Sequence, residues 1–231
     1  MAVGKSIKIW VLILTAVLLL PRLLLPGLAE DAISRTFEQE LGGVTEVQIR
    51  TQFGWELLLG KAASISITGS NWDFQGLPIE AFHFKSEGMR IDLTSLIRSS
   101  ELVVLGADQL RVELVLSEAG LNQYFWDRID PKRLFSIDLL EDRAALHGTV
   151  ELWQTSWNVS LLSEFSIHEP ALIQITPVEF LILDTRVPSM LLELISERYS
   201  LQLNLGDLPV PIRLDEIKIR DDRIVFYGSG A

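Results

Sequence analysis

Apolar and polar side chains alternate along this chain in about ten separate segments, and this limits the fold more than any other feature. "EVQIRTQF" sets Val47, Ile49 and Phe53 against Glu46, Gln48, Arg50 and Gln52. "ASISITG", "PIEAFHF", "MRIDL" and "LRVELVL" repeat the period of two, and strands of the same kind run from "FSIDLL" to the closing "RIVFYG". One greasy face per strand is the mark of antiparallel sheets packed on one side. Two segments change to a helical period. In "SEAGLNQYFWDRI", Ser117 is placed to cap, Leu121, Phe125 and Ile129 form one stripe, and Pro131 stops the run. In "SMLLELISERYS", after Pro188, Met190, Leu191, Leu194 and Ile195 face inward. Two helices of about three turns cannot cover the greasy faces of ten strands. The strands either close as a filled sandwich or curl and leave a lined groove, and the pattern alone leaves both open.

The first 29 residues are of another kind. Lys5 and Lys8 precede an apolar run from Ile9 to Leu20, followed by Pro21, Arg22 and "LLLPGLAE". Lysine before the run and Glu30-Asp31 after it orient the segment with its N-terminus in the cytoplasm, so the rest is expected to be exported. The uninterrupted run is 12 residues, roughly 18 Å of helix against a hydrocarbon core of about 30 Å. That suits a signal peptide cut after Ala29; snorkelling by Arg22 would let Ile9 to Ala29 stay as a membrane anchor, and a buried helix in a cytosolic fold is the third alternative. A short helix is expected over Glu30 to Leu41, ended by Gly42-Gly43. No low-complexity linker divides residues 30–231, which read as one exported domain on the extracytoplasmic face of the cytoplasmic membrane, anchored or released.

Charge and composition narrow the partners. Residues 1–29 hold Lys5, Lys8 and Arg22 and no acid; the remainder carries the other 17 of 20 basic residues against all 31 acidic ones. Such a domain repels nucleic acid and anionic surfaces at long range. With no cysteine in the chain, no disulfide, thiol nucleophile or cysteine metal site exists. The chain has no Gly-x-Ser-x-Gly elbow, phosphate loop or His-Glu-x-x-His motif. His83, His147 and His168 have no ligand or carboxylate at useful spacing and read as structural or surface residues. No cofactor is expected, and the chain reads as no enzyme. "IDLLEDRAALHG" (137–148) and "IKIRDDRIVFYG" (217–228) look alike, either as two hairpins with similar turns or as an internal duplication.

The stretch "FGWELLLGKAASISITG" is the candidate site. Trp55 stands directly before Leu57-Leu58-Leu59, and Gly60 and Lys61 follow. Tryptophan suits a boundary between apolar and wet surroundings. These residues read as a membrane-dipping turn or a cavity mouth. Phe82 and Phe84 stand together on one strand face.

Three pieces carry a resemblance: Leu-Leu-Leu-Gly-Lys before an alternating strand, the helix entry "LSEAGLNQYF", and the final "LPVPIRLDEIKIRDDRIVFYG". Over residues 32–228 the chain resembles the LmeA-like phospholipid-binding family of bacterial envelope proteins. The resemblance implies an α+β domain with an apolar lipid pocket, acting in lipid handling or envelope maintenance. With it, Trp55, Leu57, Leu58 and Leu59 read as an apolar lip with Lys61 at headgroup level, Phe82, Phe84 and Trp126 as further lipid-contact candidates, and Lys61, Lys85 and Arg90 as the single cations available to meet a phosphate. The expected fold is then α+β, with strongly curved, mainly antiparallel sheet of about ten strands and two main helices enclosing an apolar groove, behind one N-terminal hydrophobic helix. The expected partner is a phospholipid or other membrane lipid, with membrane attachment through the N-terminal segment. A ligand-free sandwich with a filled core is the competing reading.

Overall fold

The computed structural model describes residues 3–92, 94–95, 98, 102–152, 155–183, 185–188, 201–210 and 212–229. The helix expected over 189–200 and Trp153 lie outside the described residues. The chain divides into two compact units. The first comprises Met1–Glu40, Thr45–Thr68 and Phe84–Leu110; the second comprises Leu41–Val44, Gly69–His83 and Arg111–Ala231.

The N-terminus forms one helix, α1 (Val3–Leu41), in place of the two expected. It ends where Gly42 and Gly43 take positive φ. Ile33, Phe37 and Leu41, at i, i+4 and i+8, form its buried stripe. Among the described residues no helix is long and apolar enough to cross a membrane. The transmembrane helix, the membrane attachment through this segment and the extracytoplasmic placement that rested on it are thereby corrected. The physical reason is visible in the sequence: the apolar run stops at 12 residues, and the helix continues through Arg22 into a half-buried amphipathic stretch.

Thirteen strands among the described residues form two open sheets. The first takes β1 (Val44–Arg50), β2 (Lys61–Phe74), β3 (Leu77–Ile91), β4 (Val104–Gly106), β5 (Gln109–Ser117), β12 (Arg213–Arg220) and β13 (Arg223–Ser229), in the order β1-β2-β3-β5-β13-β12 with β4 beside β3. The second takes β6 (Phe135–Leu139), β7 (Ala144–Leu152), β8 (Thr155–Glu169), β9 (Leu172–Ile182), β10 (Thr185–Arg186) and β11 (Leu201–Asn204), in the order β10-β9-β8-β7-β6 with β11 also on β9. Neither sheet is closed or strongly curved, so the expected curled sheet around a groove is corrected. The greasy faces are shared between two sheets, and the margins at β1 and β6 meet side chains of helices. On β1, Ile49 N–H donates to the Glu30 carboxylate of α1 (2.7 Å).

The edge at β6 is covered more completely, by α3 (Glu118–Arg128), the third described helix after the one-turn α2 (Trp55–Leu58). Ser117 caps α3 by accepting from Gly120 N–H (3.2 Å), and Leu121 and Phe125 are buried as the stripe requires, whereas Ile129 is exposed. The next face of the helix carries Glu118, Asn122 and Trp126, spaced by four. Asn122 accepts from Ile137 N–H and donates to Ile137 C=O, both at 2.7 Å. Glu118 accepts from Leu139 N–H (2.8 Å) and Trp126 Nε1–H donates to Phe135 C=O (2.7 Å). Asp130 accepts from Phe135 N–H (2.8 Å). Helix side chains thus take the place of a neighbouring strand.

The two similar segments are both hairpins, with one register: Ile137 faces Leu146 in β6–β7 and Ile217 faces Phe226 in β12–β13. They belong to different sheets, and their closing glycines serve different neighbours. A side chain at Gly148 would strike the Phe135 ring; one at Gly228 would strike the Arg213 carbonyl.

Candidate functional site

In the first unit, α2 displays the lip. Gln52 and Phe53 N–H donate to the Glu56 carboxylate (2.9 and 3.1 Å), which fixes the turn before the helix. Leu57, 3% exposed, anchors the turn, while Leu58 and Leu59 are 54% and 75% exposed. Trp55 is 38% and Phe53 61% exposed. Four apolar side chains within seven residues therefore face solvent on a turn held by the fifth. Gly60 takes φ +68 because its Cα packs on the Ile91 carbonyl with no room for a side chain, and its own C=O accepts from Ile91 N–H (2.7 Å). Lys61 opens β2, exposed.

The other sequence candidates fall elsewhere. Phe82 and Phe84 share a strand face as expected, but at 0% and 1% exposure they are sealed in the core of the first sheet. Phe82 packs against Trp72, ring centroids 4.7 Å apart. Trp126 is half-buried against β6. Lys85 and Arg90 are exposed on β3.

In the second unit the sheet has two unlike faces. Register places Ile137, Leu146, Leu161 and Phe180 in one row across β6 to β9, and Phe135, Gly148, Val159 and Ile182 in the next. Of these apolar side chains only Leu161 is buried, and the rest are half-buried. Trp157, opposite Val150, belongs to the same face, and its indole N–H is buried with no hydrogen-bond partner among the described residues.

The opposite face carries polar side chains and a cleft of roughly 500 Å³. One row of the ladder, Ser136, His147, Ser160 and Leu181, gives its floor. Trp126, Arg133 and Leu134 wall it, and Thr149 and Asn158 flank it. Arg133 holds a left-handed backbone (φ 53) and sets its guanidinium 4.7 Å above the Trp126 ring. His147 Nδ1 meets Ser160 Oγ at 2.8 Å, and its Nε2 lies 3.5 Å from Asp138. A serine, a histidine and an aspartate in a row invite comparison with a hydrolase, but the arrangement lacks its physics. His147 and Asp138 are 46% and 54% exposed, and the carboxylate contact is too long to orient the ring firmly. The three side chains are neighbours of a cross-strand polar ladder. On the same face Glu179 pairs with Arg186 at 2.7 Å. The Arg186 hydrogen bond holds the Glu179 carboxyl below its ordinary range. Among the described residues no group of three or more histidine or acidic side chains could hold a metal ion.

Apart from Trp126, the cleft residues have no signal in the sequence, because they come from four strands and a loop, and only strand register brings them together. His147 does have a carboxylate neighbour, nine residues away and across a hairpin. No curated protein and no solved structure matches the chain. The greasy lip and the half-open apolar sheet suit a ligand that is itself mostly hydrocarbon, in keeping with a match that runs over residues 22–229: the chain belongs to the LmeA-like phospholipid-binding family.

Proposed function

We propose that this non-catalytic phospholipid-binding protein takes lipid by apolar contact, for lipid handling. The observation that carries this reading is the lip: Trp55, Leu58 and Leu59 are held outward on a turn that Leu57 and Gly60 fix from within. A one-turn helix with that exposure gains nothing for folding, whereas each methylene it or its ligand buries is worth roughly 0.8 kcal/mol. The half-buried face of β6–β9 gives acyl chains an apolar bed that needs no hydrogen-bond readout.

The test is native mass spectrometry of the full chain after incubation with phosphatidylglycerol vesicles, with lipid extraction, for the wild type and Leu58→Asp. The expected result is about one lipid per wild-type protein and none on the variant at an unchanged unfolding midpoint. Equal loading of both proteins would remove the lip from the mechanism. A clean lipid-free wild type would favour a purely structural role.

A further inference from the structure

We infer that the cleft beside α3 is a phosphate-ester site, with Arg133 as its charge anchor. The argument rests on unused donors. Arg143 and Arg186 on the same sheet are paired with Asp142 (2.9 Å) and Glu179 (2.7 Å). Arg133 makes no ion pair among the described residues, and its guanidinium lies over the face of Trp126. A cation held over an indole face keeps its N–H donors available to an anion. That tryptophan cannot swing away, because its Nε1–H is bonded to Phe135 C=O. The loop that carries Arg133 is pinned on both sides: Arg133 N–H donates to Asp130 C=O (2.9 Å), and Phe135 N–H to the Asp130 carboxylate (2.8 Å).

The floor adds neutral donors. Among the described residues the Ser136 hydroxyl has no partner. Asn158 accepts through its Oδ1 from Thr149 (3.2 Å), and its amide N–H₂ has no partner among the described residues. A fixed cation, a free hydroxyl and a free amide leave these donors in need of acceptors. A phosphate ester supplies them: one negative charge or more, and several oxygens in an arrangement that a guanidinium matches with two parallel bonds. The volume, roughly 500 Å³, holds a phosphate with a small polar substituent. Asp138 lies on the His147 side of the floor and sets a limit on the charge tolerated there.

The cleft lies on the face of β6–β9 opposite the apolar bed, so a phospholipid bound here is held by its headgroup and is not the one whose chains lie on that bed. The ligand's source is such a headgroup if the proposed function holds, or a soluble phosphate ester if it does not. Calorimetric titration of the full chain separates these. The probes are glycerol 3-phosphate, dihexanoylphosphatidylglycerol below its micelle concentration, and dihexanoylglycerol, which has the same chains and no phosphate. The wild type is expected to bind the phospholipid at least about tenfold tighter than the neutral lipid. Arg133→Gln should erase that preference, and Arg133→Lys should restore part of it. All three proteins should share one unfolding midpoint, since Arg133 is exposed. Arg133-dependent binding of glycerol 3-phosphate with no binding of either lipid would keep the site and remove the lipid reading. Binding of both lipids with no preference, or a preference that survives Arg133→Gln, would overturn the site and leave the lipid reading standing. Absence of any phosphate-ester binding by the wild type would also overturn it.

Discussion

The two sheets of this protein start from the same alternating pattern and end in different states. In the first, the apolar face is sealed: Ile65, Ile67, Phe82, Met89, Leu114, Leu116, Ile224 and Phe226 are all 0% exposed. In the second, Phe135, Ile137, Leu146, Val159, Phe180 and Ile182 stay half-buried. The pattern tells a strand which face is greasy. It does not tell how completely that face will be covered. A sealed face stabilises the fold, and a half-open one keeps apolar area that a hydrocarbon ligand can still cover.

The largest test of this contrast is a matched pair of truncations. Phe82→Ala should cost about 3–5 kcal/mol in urea unfolding, through lost burial and a cavity beside Trp72. Phe180→Ala should cost about 1 kcal/mol, since less area is lost, and should lower phospholipid loading instead. Equal costs at the two positions would break the comparison. Next in size is Asn122→Ala. It leaves both polar groups of Ile137 without partners, each worth about 1–3 kcal/mol, and should speed hydrogen exchange at the Ile137 amide. An unchanged exchange rate would mean that β6 does not depend on the helix. Smaller, and opposite in sign, is Trp157→Phe. Removing a buried indole N–H that bonds nothing should raise stability by about 1 kcal/mol; a loss of stability would show that the donor is satisfied in solution. The smallest effect concerns the exposed pair Glu179–Arg186. The depressed Glu179 carboxyl adds stability above the ordinary carboxylate range, and that contribution is lost as pH falls through its lowered value. Arg186→Gln should move the Glu179 titration up toward the usual range, read by NMR, with no change in the unfolding midpoint.

Much of the local structure was legible from residues alone. The alternation at Val47 and Ile49, the Ser117 cap, the Leu121–Phe125 stripe and the Gly42-Gly43 stop all stand where elementary rules put them, whereas Phe53, expected on the face of Val47 and Ile49, lies past the end of β1 and is exposed. Local rules failed where the outcome depends on distant partners. A strand's own sequence does not say which sheet it joins or how that sheet bends, so strong curvature around a groove is expected where two open sheets form. Phe82 and Phe84 had the right periodicity for either a pocket wall or a core, and only their neighbours made them core. Trp126 read as an interface residue, yet its N–H completes the edge of β6. Arg133 had no signal at all, because its meaning comes from a left-handed loop position and an unpaired guanidinium over a ring.

The way α3 meets β6 has a further consequence, for the protein's behaviour in a crowd of its own copies. A chain that leaves many apolar side chains half-buried invites self-association, and open sheet margins usually offer the template for it. Here Glu118, Asn122, Trp126 and Asp130 already occupy five of the backbone groups through which a foreign strand would dock. Stickiness is thereby separated from polymerisation: side chains can stay adhesive while the main chain at that margin gives a growing fibril little to pair with.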